Sequence, residues 1–430
     1  MMTTTGLGLF FVLVALYSVF ASRLGRLSIT MPIVFVVVGA LAGAQALGWV
    51  TLPIAAQDVE TLTEITLALL LFADASTLDF RQVRADTHLA GRLLLIAMPL
   101  IIALGSLVAF GLFPQEGIGF ALLLGAILAP TDAALGLPIF NNPRVPVRVR
   151  RALNVESGLN DGIATPFVTL FIALAVAEEI HTSGGWLASA LTEIGIAVAV
   201  GIAVGMLGGR LFAAAVQQRW TSRTTEQIGN LALALGAYFG SAALGGNGFI
   251  AAFVGGLMFG YVTRDHLHEA TEFTETTGTL LSLFVWSVFG ANLVIPLFNA
   301  FNPRVLLYGL LSLTLVRLLP VTIALVGTRM RGDTLLMMGW LGPRGLASVV
   351  FTLMAYHSFH EAGRPYETLF AMAGWTILLS VVLHGISALP LANWYARRLE
   401  TASPTAPEMV ELPELGTRHR HAVGLLPHSG

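Results

Sequence analysis

Residues 130–165 read PTDAALGLPIFNNPRVPVRVRRALNVESGLNDGIAT. Both flanks are apolar enough for lipid: LLLGAILA precedes the stretch and PFVTLFIALAVA follows it. Inside it lie three carboxylates, Asp132, Glu156 and Asp161, among prolines, glycines and an arginine-rich bend. Charge at membrane depth is costly, and where it persists it marks an ion or proton pathway. The rest of the chain is read as the frame that holds this stretch.

Composition sets the class. Of the 430 residues 55% are hydrophobic and 11% charged, with 45 glycines. A soluble domain carries about 25% charged residues. Small residues are how membrane helices pack closely. The chain therefore reads as an all-α polytopic membrane protein. A net charge of -2 argues against nucleic acid as a partner, and the lack of cysteine excludes disulfide and thiol chemistry. No cleavable leader is expected, because the first apolar span starts at once without a basic segment before it.

A span needs about 20 residues. Thirteen apolar segments fit, at about 6–22, 30–50, 60–78, 90–113, 117–140, 154–180, 186–210, 226–244, 246–263, 275–296, 304–327, 333–357 and 366–396. None alternates as a barrel strand does. Lysine is absent, so arginine alone reports orientation. Alternate connections are arginine-rich: Arg23 and Arg26; Arg81, Arg84 and Arg92; Arg144, Arg148, Arg150 and Arg151; Arg210, Arg219 and Arg223; Arg264; Arg329 and Arg331; and the C-terminal Arg397 and Arg398. The other connections hold only Arg304 and Arg364. The positive-inside rule then puts the N-terminus outside and the C-terminus in the cytoplasm, which an odd number of spans requires.

Two spans are interrupted. The fifth breaks at Pro130-Thr131-Asp132 and the twelfth at the Gly-Pro-Arg-Gly of 342–345. Irregular backbone is tolerated at that depth where it lines a cavity. One break falls in each half, so the reading divides 1–399, the transmembrane domain, into repeat one (about 6–180), a linker helix (about 186–210) and repeat two (about 226–396). Six spans plus a single linking span make the repeats inverted. Paired broken helices point to a transport site near the midplane. The tail, 400–430, is proline-rich without apolar periodicity and is expected to be a short disordered cytoplasmic segment.

On the sixth span Ser157, Asp161 and Thr165 recur every four residues and share a face, with Glu156 and Asn160 on the neighbouring one. Carboxylate, hydroxyl and freed carbonyl oxygens suit a hard monovalent cation. Desolvation penalises the charged form of a buried carboxylate, so one group can hold a proton or a cation but not both comfortably. Glu156 needs a counter-charge, for which Arg344 is the first choice. Arg317 is expected to have a buried structural partner. Asp74 and Asp79 read as helix-end residues. His181, His266, His268, His357 and His360 read as solvated, with no metal-ligand spacing among them.

LAPTDAALG (128–136), ALNVESGLNDG (152–162), GNGFIAAFVGGLMFG (246–260), WSVFGA (286–291), GPRGLAS (342–348) and SVVLHG (380–385) together resemble the NhaP-type monovalent cation–proton antiporters, over nearly all of 6–396. The resemblance implies thirteen spans in inverted repeats with crossing broken helices, a six-helix core beside a dimerisation domain, and elevator-like movement. It implies that Asp161 carries cation and proton in turn, with Asp132, Ser157 and Thr131 completing a Na+ site, and with Asn160, Glu156 and Arg344 supporting it. His384 also resembles a family position. The Asn160-Asp161 pair implies electroneutral one-for-one exchange of Na+ for H+, with Li+ or K+ as other cargoes. The family's frequent Thr-Asp-Pro is Thr-Asp-Ala here, its proline on the other side at Pro130. No cofactor and no enzymatic activity are expected; the partners are the cation, the proton, lipid and a second copy of the chain. The expected location is the bacterial inner membrane. A K+/H+ antiporter is the alternative, and a channel a weaker one, since a continuous pore needs no titratable carboxylate at its centre. An intramembrane hydrolase lacks its motifs: there is no Gly-x-Ser-Gly, and Ser157 has no histidine at helical spacing.

Overall fold

In lipid each backbone polar group must be satisfied within the chain, and helices do this locally. The computed structural model describes residues 4–50, 57–78, 87–140, 142–179, 185–263, 268–299, 301–363, 365, 367–400 and 406–410. Among them, every expected span is helical. They are α1 (Thr4–Arg26), α2 (Met31–Ala42), α3 (Gln57–Ser76) and α4 (Thr87–Arg92, Leu93–Ala97 and Met98–Leu112 in succession). The two parts of α5 are α5a (Ile118–Ile127) and α5b (Ala133–Phe140). Next come α6 (Val147–Glu179), α7 (Trp186–Gln217), α8 (Arg223–Ala243) and α9 (Gly248–Thr263). α10 runs through His268–Phe289, Gly290–Val294 and Ile295–Asn299, and α11 through Pro303–Leu313 and Leu315–Ala324. α12 is again in two parts, α12a (Gly332–Trp340) and α12b (Leu346–Glu361), and α13 is Glu367–Leu399. Seven of these helices are long and apolar enough by themselves to cross a bilayer. The protein is a polytopic helical membrane protein.

Local departures from regular helix have local causes. The π-helical turns Leu93–Ala97 and Gly290–Val294 each precede a proline, Pro99 and Pro296. A proline has no N–H to give and its ring crowds the carbonyl four residues back; a widened turn relieves both. The second span is shorter than the sequence suggests. It stops at Ala42, and the chain then turns so that Gly43 and Val50 pair as an isolated bridge.

Glycines let the helices cross closely. A Cβ on Gly205 of α7 would overlap the Gly255 carbonyl of α9, and one on Gly290 of α10 would overlap the Val36 carbonyl of α2. Small residues give such backbones their contact, since lipid supplies little drive for apolar faces to meet. Charged groups also tie off helix ends. Glu178 of α6 accepts the Gly119 N–H at the start of α5a (2.9 Å), and Arg92 donates to the Ala324 and Val326 carbonyls at the end of α11.

The tail corrects part of the reading that made all of 400–430 disordered. Residues 406–410 are packed, and Pro407–Met409 forms a 3₁₀ turn. Glu408 is fully buried, accepting the Arg331 N–H (2.7 Å) and the Thr334 hydroxyl (2.8 Å) at the start of α12a. Arg148 donates to the Pro407 carbonyl. A helix N-terminus carries unpaired N–H groups and partial positive charge, which a carboxylate satisfies. Residues 411–430 lie outside the described residues, as do Asp79, Arg81, Arg84, His181, Arg264, His266 and Arg364.

Candidate functional site

The two breaks meet. The Asp132 N–H donates to the Pro343 carbonyl at 2.8 Å, joining the unwound part of α5 to that of α12. Asp132 then caps two half-helices at once. Its Oδ1 accepts the Ala134 N–H of α5b (2.7 Å), and its Oδ2 accepts the Leu346 N–H of α12b (3.1 Å). Both helix starts present positive partial charge to this carboxylate. A Cβ at Gly345 would overlap the Asp132 carboxylate, so the glycine admits the side chain to its place.

Arg344 does the complementary thing at the end of α5a. It is fully buried and donates to the carbonyls of Ala129 (3.1 Å), Pro130 (3.5 Å) and Ser312 (3.4 Å). Ser348 adds a hydroxyl donor to the Ile127 carbonyl (2.7 Å). Apart from Ser312, which belongs to α11, these are the freed acceptors at the C-terminal end of α5a, where partial negative charge collects.

Arg344 is therefore not the bonded partner of Glu156, contrary to the first choice made from sequence. Arg317 is, through contacts of 2.5 and 2.9 Å to the two carboxylate oxygens. Glu156 and Arg317 are 2% and 1% exposed, so the pair is sealed from water. The planar guanidinium matches both oxygens. Arg344 goes instead to the carbonyls that its own break brings beside it. Arg317 was correctly expected to have a buried structural partner.

The remaining predicted residues converge. Asn160 donates to the Thr131 hydroxyl at 2.6 Å, and Thr131 and Ser157 share a hydroxyl contact at 3.1 Å. Asn160 thus ties α6 to the break. Its Oδ1 is buried without a hydrogen-bond partner among the described residues. Thr165 turns back onto the Asp161 carbonyl. Thr131, Asp132, Ser157 and Asp161 together line one cavity of about 90 Å³. Asn160, Glu156 and Arg344 are not on its wall.

Two further carboxylates share that cavity, Asp74 of α3 and Glu275 of α10. Asp74 was read from sequence as a helix-end residue, and Glu275 was not singled out. A signal for Glu275 existed: Glu275, Thr279 and Ser282 repeat at helical spacing, as Ser157 and Asp161 do, and all three line the cavity. Asp74 and Glu275 lie toward the ends of α3 and α10 that adjoin the arginine-rich connections. Two histidines read as solvated belong to α12b. His357 places Nδ1 3.6 Å from Glu60, and the His360 ring stacks on Tyr356.

Comparison with known proteins shows the family and the fold. The family model for the sodium/hydrogen exchanger, transmembrane, matches residues 9–394. The chain is 27% identical over 415 residues to the K(+)/H(+) antiporter NhaP of Alkalimonas amylolytica, covering 95% of this chain and 69% of that one. It is 27% identical over 392 residues to the Na(+)/H(+) antiporter NhaP of Pseudomonas aeruginosa, covering 84% and 88%. Among solved structures, the sodium proton antiporter MjNhaP1 from Methanocaldococcus jannaschii shares the fold. The TM-score is 0.74 at 21% identity, over 91% of this chain and 98% of that one. The chain belongs to the transmembrane sodium/hydrogen exchanger family, among its NhaP-type antiporters.

Proposed function

We propose that the protein exchanges a monovalent cation for a proton across the membrane, with both using Asp161 in turn. The observation that carries this reading is the cavity at the crossing of the two breaks. There Asp161, Asp132, Ser157 and Thr131 present oxygens to one small volume. Glu156 is held apart in its pair with Arg317, so Asp161 and Asp132 are the cavity carboxylates of the central stretch. Asp132 is fixed by two backbone N–H donors, which suits it to be the anchored ligand.

Na+ is the first cargo, on oxygens of Asp161, Asp132, Ser157 and Thr131. The relatives' names supply both Na+ and K+, and K+ is the second reading. With Asp161 facing the arginine-rich side, the cation displaces the proton. The core of α4–α6 and α11–α13 then moves against α1–α3 and α8–α10, and the site opens to the other side. Carrying a bare carboxylate through a low-dielectric barrier is costly, so only the cation-bound or protonated core crosses. One proton per cation makes exchange electroneutral. The chain works as a homodimer in a bacterial inner membrane, its N-terminus outside.

The test is collapse of an imposed pH gradient in proteoliposomes on adding Na+, Li+ or K+, with the voltage clamped or free. The reading expects collapse that ignores voltage, and expects Asp161→Asn to reduce it at least about a hundredfold. Full exchange by Asp161→Asn contradicts it.

A further inference from the structure

The end of α5a is closed by Arg344. At the matching end of α12a the last carbonyl, at Trp340, is met from α13. His384 is 1% exposed and places Nε2 2.9 Å from that oxygen. Four residues earlier, the Ser380 hydroxyl oxygen accepts the Arg344 N–H at 2.6 Å, on the far side of the break. Three residues later, Ser387 accepts the Trp340 indole N–H at 2.9 Å. The Trp340 and His384 rings also pack in a tilted arrangement, with centroids 5.1 Å apart. Positions 380, 384 and 387 form one stripe of a helix. Three polar groups on that stripe therefore hold both ends of the α12 break.

The contacts to Trp340, the Ser380 hydroxyl and Arg344 fit one tautomer of the neutral ring. A carbonyl only accepts, so His384 Nε2 carries a hydrogen for Trp340. In the neutral ring Nδ1 is then an acceptor. The Ser380 hydroxyl lies 3.2 Å from it and donates, leaving its oxygen for the Arg344 N–H. The same Nδ1 lies 3.1 Å from the Ser380 carbonyl, a contact that is no hydrogen bond in this tautomer because both atoms are acceptors. Beyond Arg344 the chain passes directly to the Pro343 carbonyl and the Leu346 N–H, the two α12 groups that hold Asp132.

We propose that Ser380 and His384 are positioning residues for the exchange reaction: they clamp the unwound Leu341–Gly345 segment from α13 and so set the direction of the Asp132 carboxylate. Neither lines the cavity. They act through the backbone that Asp132 binds. The proposal rests on Asp132 being a cation ligand, as proposed above. Groups that orient an ion's ligands commonly matter about tenfold or more in affinity.

The test uses the full chain with Ser380→Ala, His384→Ala and His384→Gln, read two ways. Hydrogen–deuterium exchange of the peptide spanning 340–346 reports the clamp without reference to transport. Transport in proteoliposomes reports cation KM and Vmax. Ser380→Ala and His384→Ala are expected to speed amide exchange in that peptide about fivefold or more. They are expected to raise cation KM about tenfold, with Vmax much less affected. Glutamine, which can still offer an N–H to Trp340, is expected to restore much of both. Unchanged amide exchange in Ser380→Ala and His384→Ala overturns the clamp. Faster exchange with unaltered KM, or loss of folded protein and Vmax alone, overturns the positioning role and leaves only a structural one. If the wild type moves no cation, the functional reading fails by itself. The clamp is then judged on amide exchange, faster exchange supporting it and unchanged exchange overturning it.

Discussion

Asp132, Glu156 and Asp161 have three different surroundings. Asp132 is fixed by the N–H groups of two helix starts, and Glu156 by the fork of Arg317. Asp161 lines the cavity where the two breaks cross. The sequence makes all three conspicuous, because charge in an apolar run is rare and has to be explained. It does not assign partners. Glu156 and Arg317 are 161 residues apart, and nothing in their local sequence pairs them. Removing one member of a buried pair leaves a charge without compensation, which costs about 3–5 kcal/mol. Glu156→Gln or Arg317→Met alone should lower thermal stability in detergent sharply, while the double variant should recover most of the loss. A double variant as unstable as the sum of the two single ones would mean the pair contributes no coupling.

At the scale of elements, the two breaks were legible because proline and glycine interrupt apolar runs at 130–132 and 342–345. Their mutual contact was not, because no local signal states that Asp132 will cap α12b across the crossing. The same holds for His384, which has no obvious partner in the chain around it and finds one in Trp340. The tail failed for a related reason. A proline-rich segment without periodicity has no core of its own, yet Glu408 docks on N–H and hydroxyl groups that belong to α12a. The crossing makes a sharp demand on Gly345, whose Cβ would meet the Asp132 carboxylate. Gly345→Ala should therefore leave the helices in place but push Asp132 aside. Exchange should fall by about a hundredfold, the cost of roughly an ångström of misplacement. A Gly345→Ala protein with wild-type KM and Vmax would show that the direction of Asp132 does not matter.

For the whole molecule, thirteen spans and their order follow from hydropathy, since lipid leaves a backbone few alternatives to helix. The proposed orientation rests on arginine alone. Gln115, in the connection before α5, and Gln218, after α7, are both exposed and fall on opposite sides by that rule. The natural chain has no cysteine, so Gln115→Cys and Gln218→Cys are each unique labels. A membrane-impermeant maleimide should label Gln115→Cys in intact cells and Gln218→Cys only after permeabilisation. The opposite pattern would invert the topology, and with it the side on which Asp74 and Glu275 line the cavity.

In the proposed exchange, proton and cation compete for Asp161. Calorimetric titration of the purified protein with Na+ in buffers of different ionisation enthalpy, repeated with K+, reads this competition. Binding should release up to about one proton per cation, approaching that limit as the pH is lowered. Apparent affinity should weaken with falling pH, and Asp161→Asn should abolish both the binding and the release. Cation binding that releases no proton at any pH, or that persists unchanged in Asp161→Asn, would contradict it.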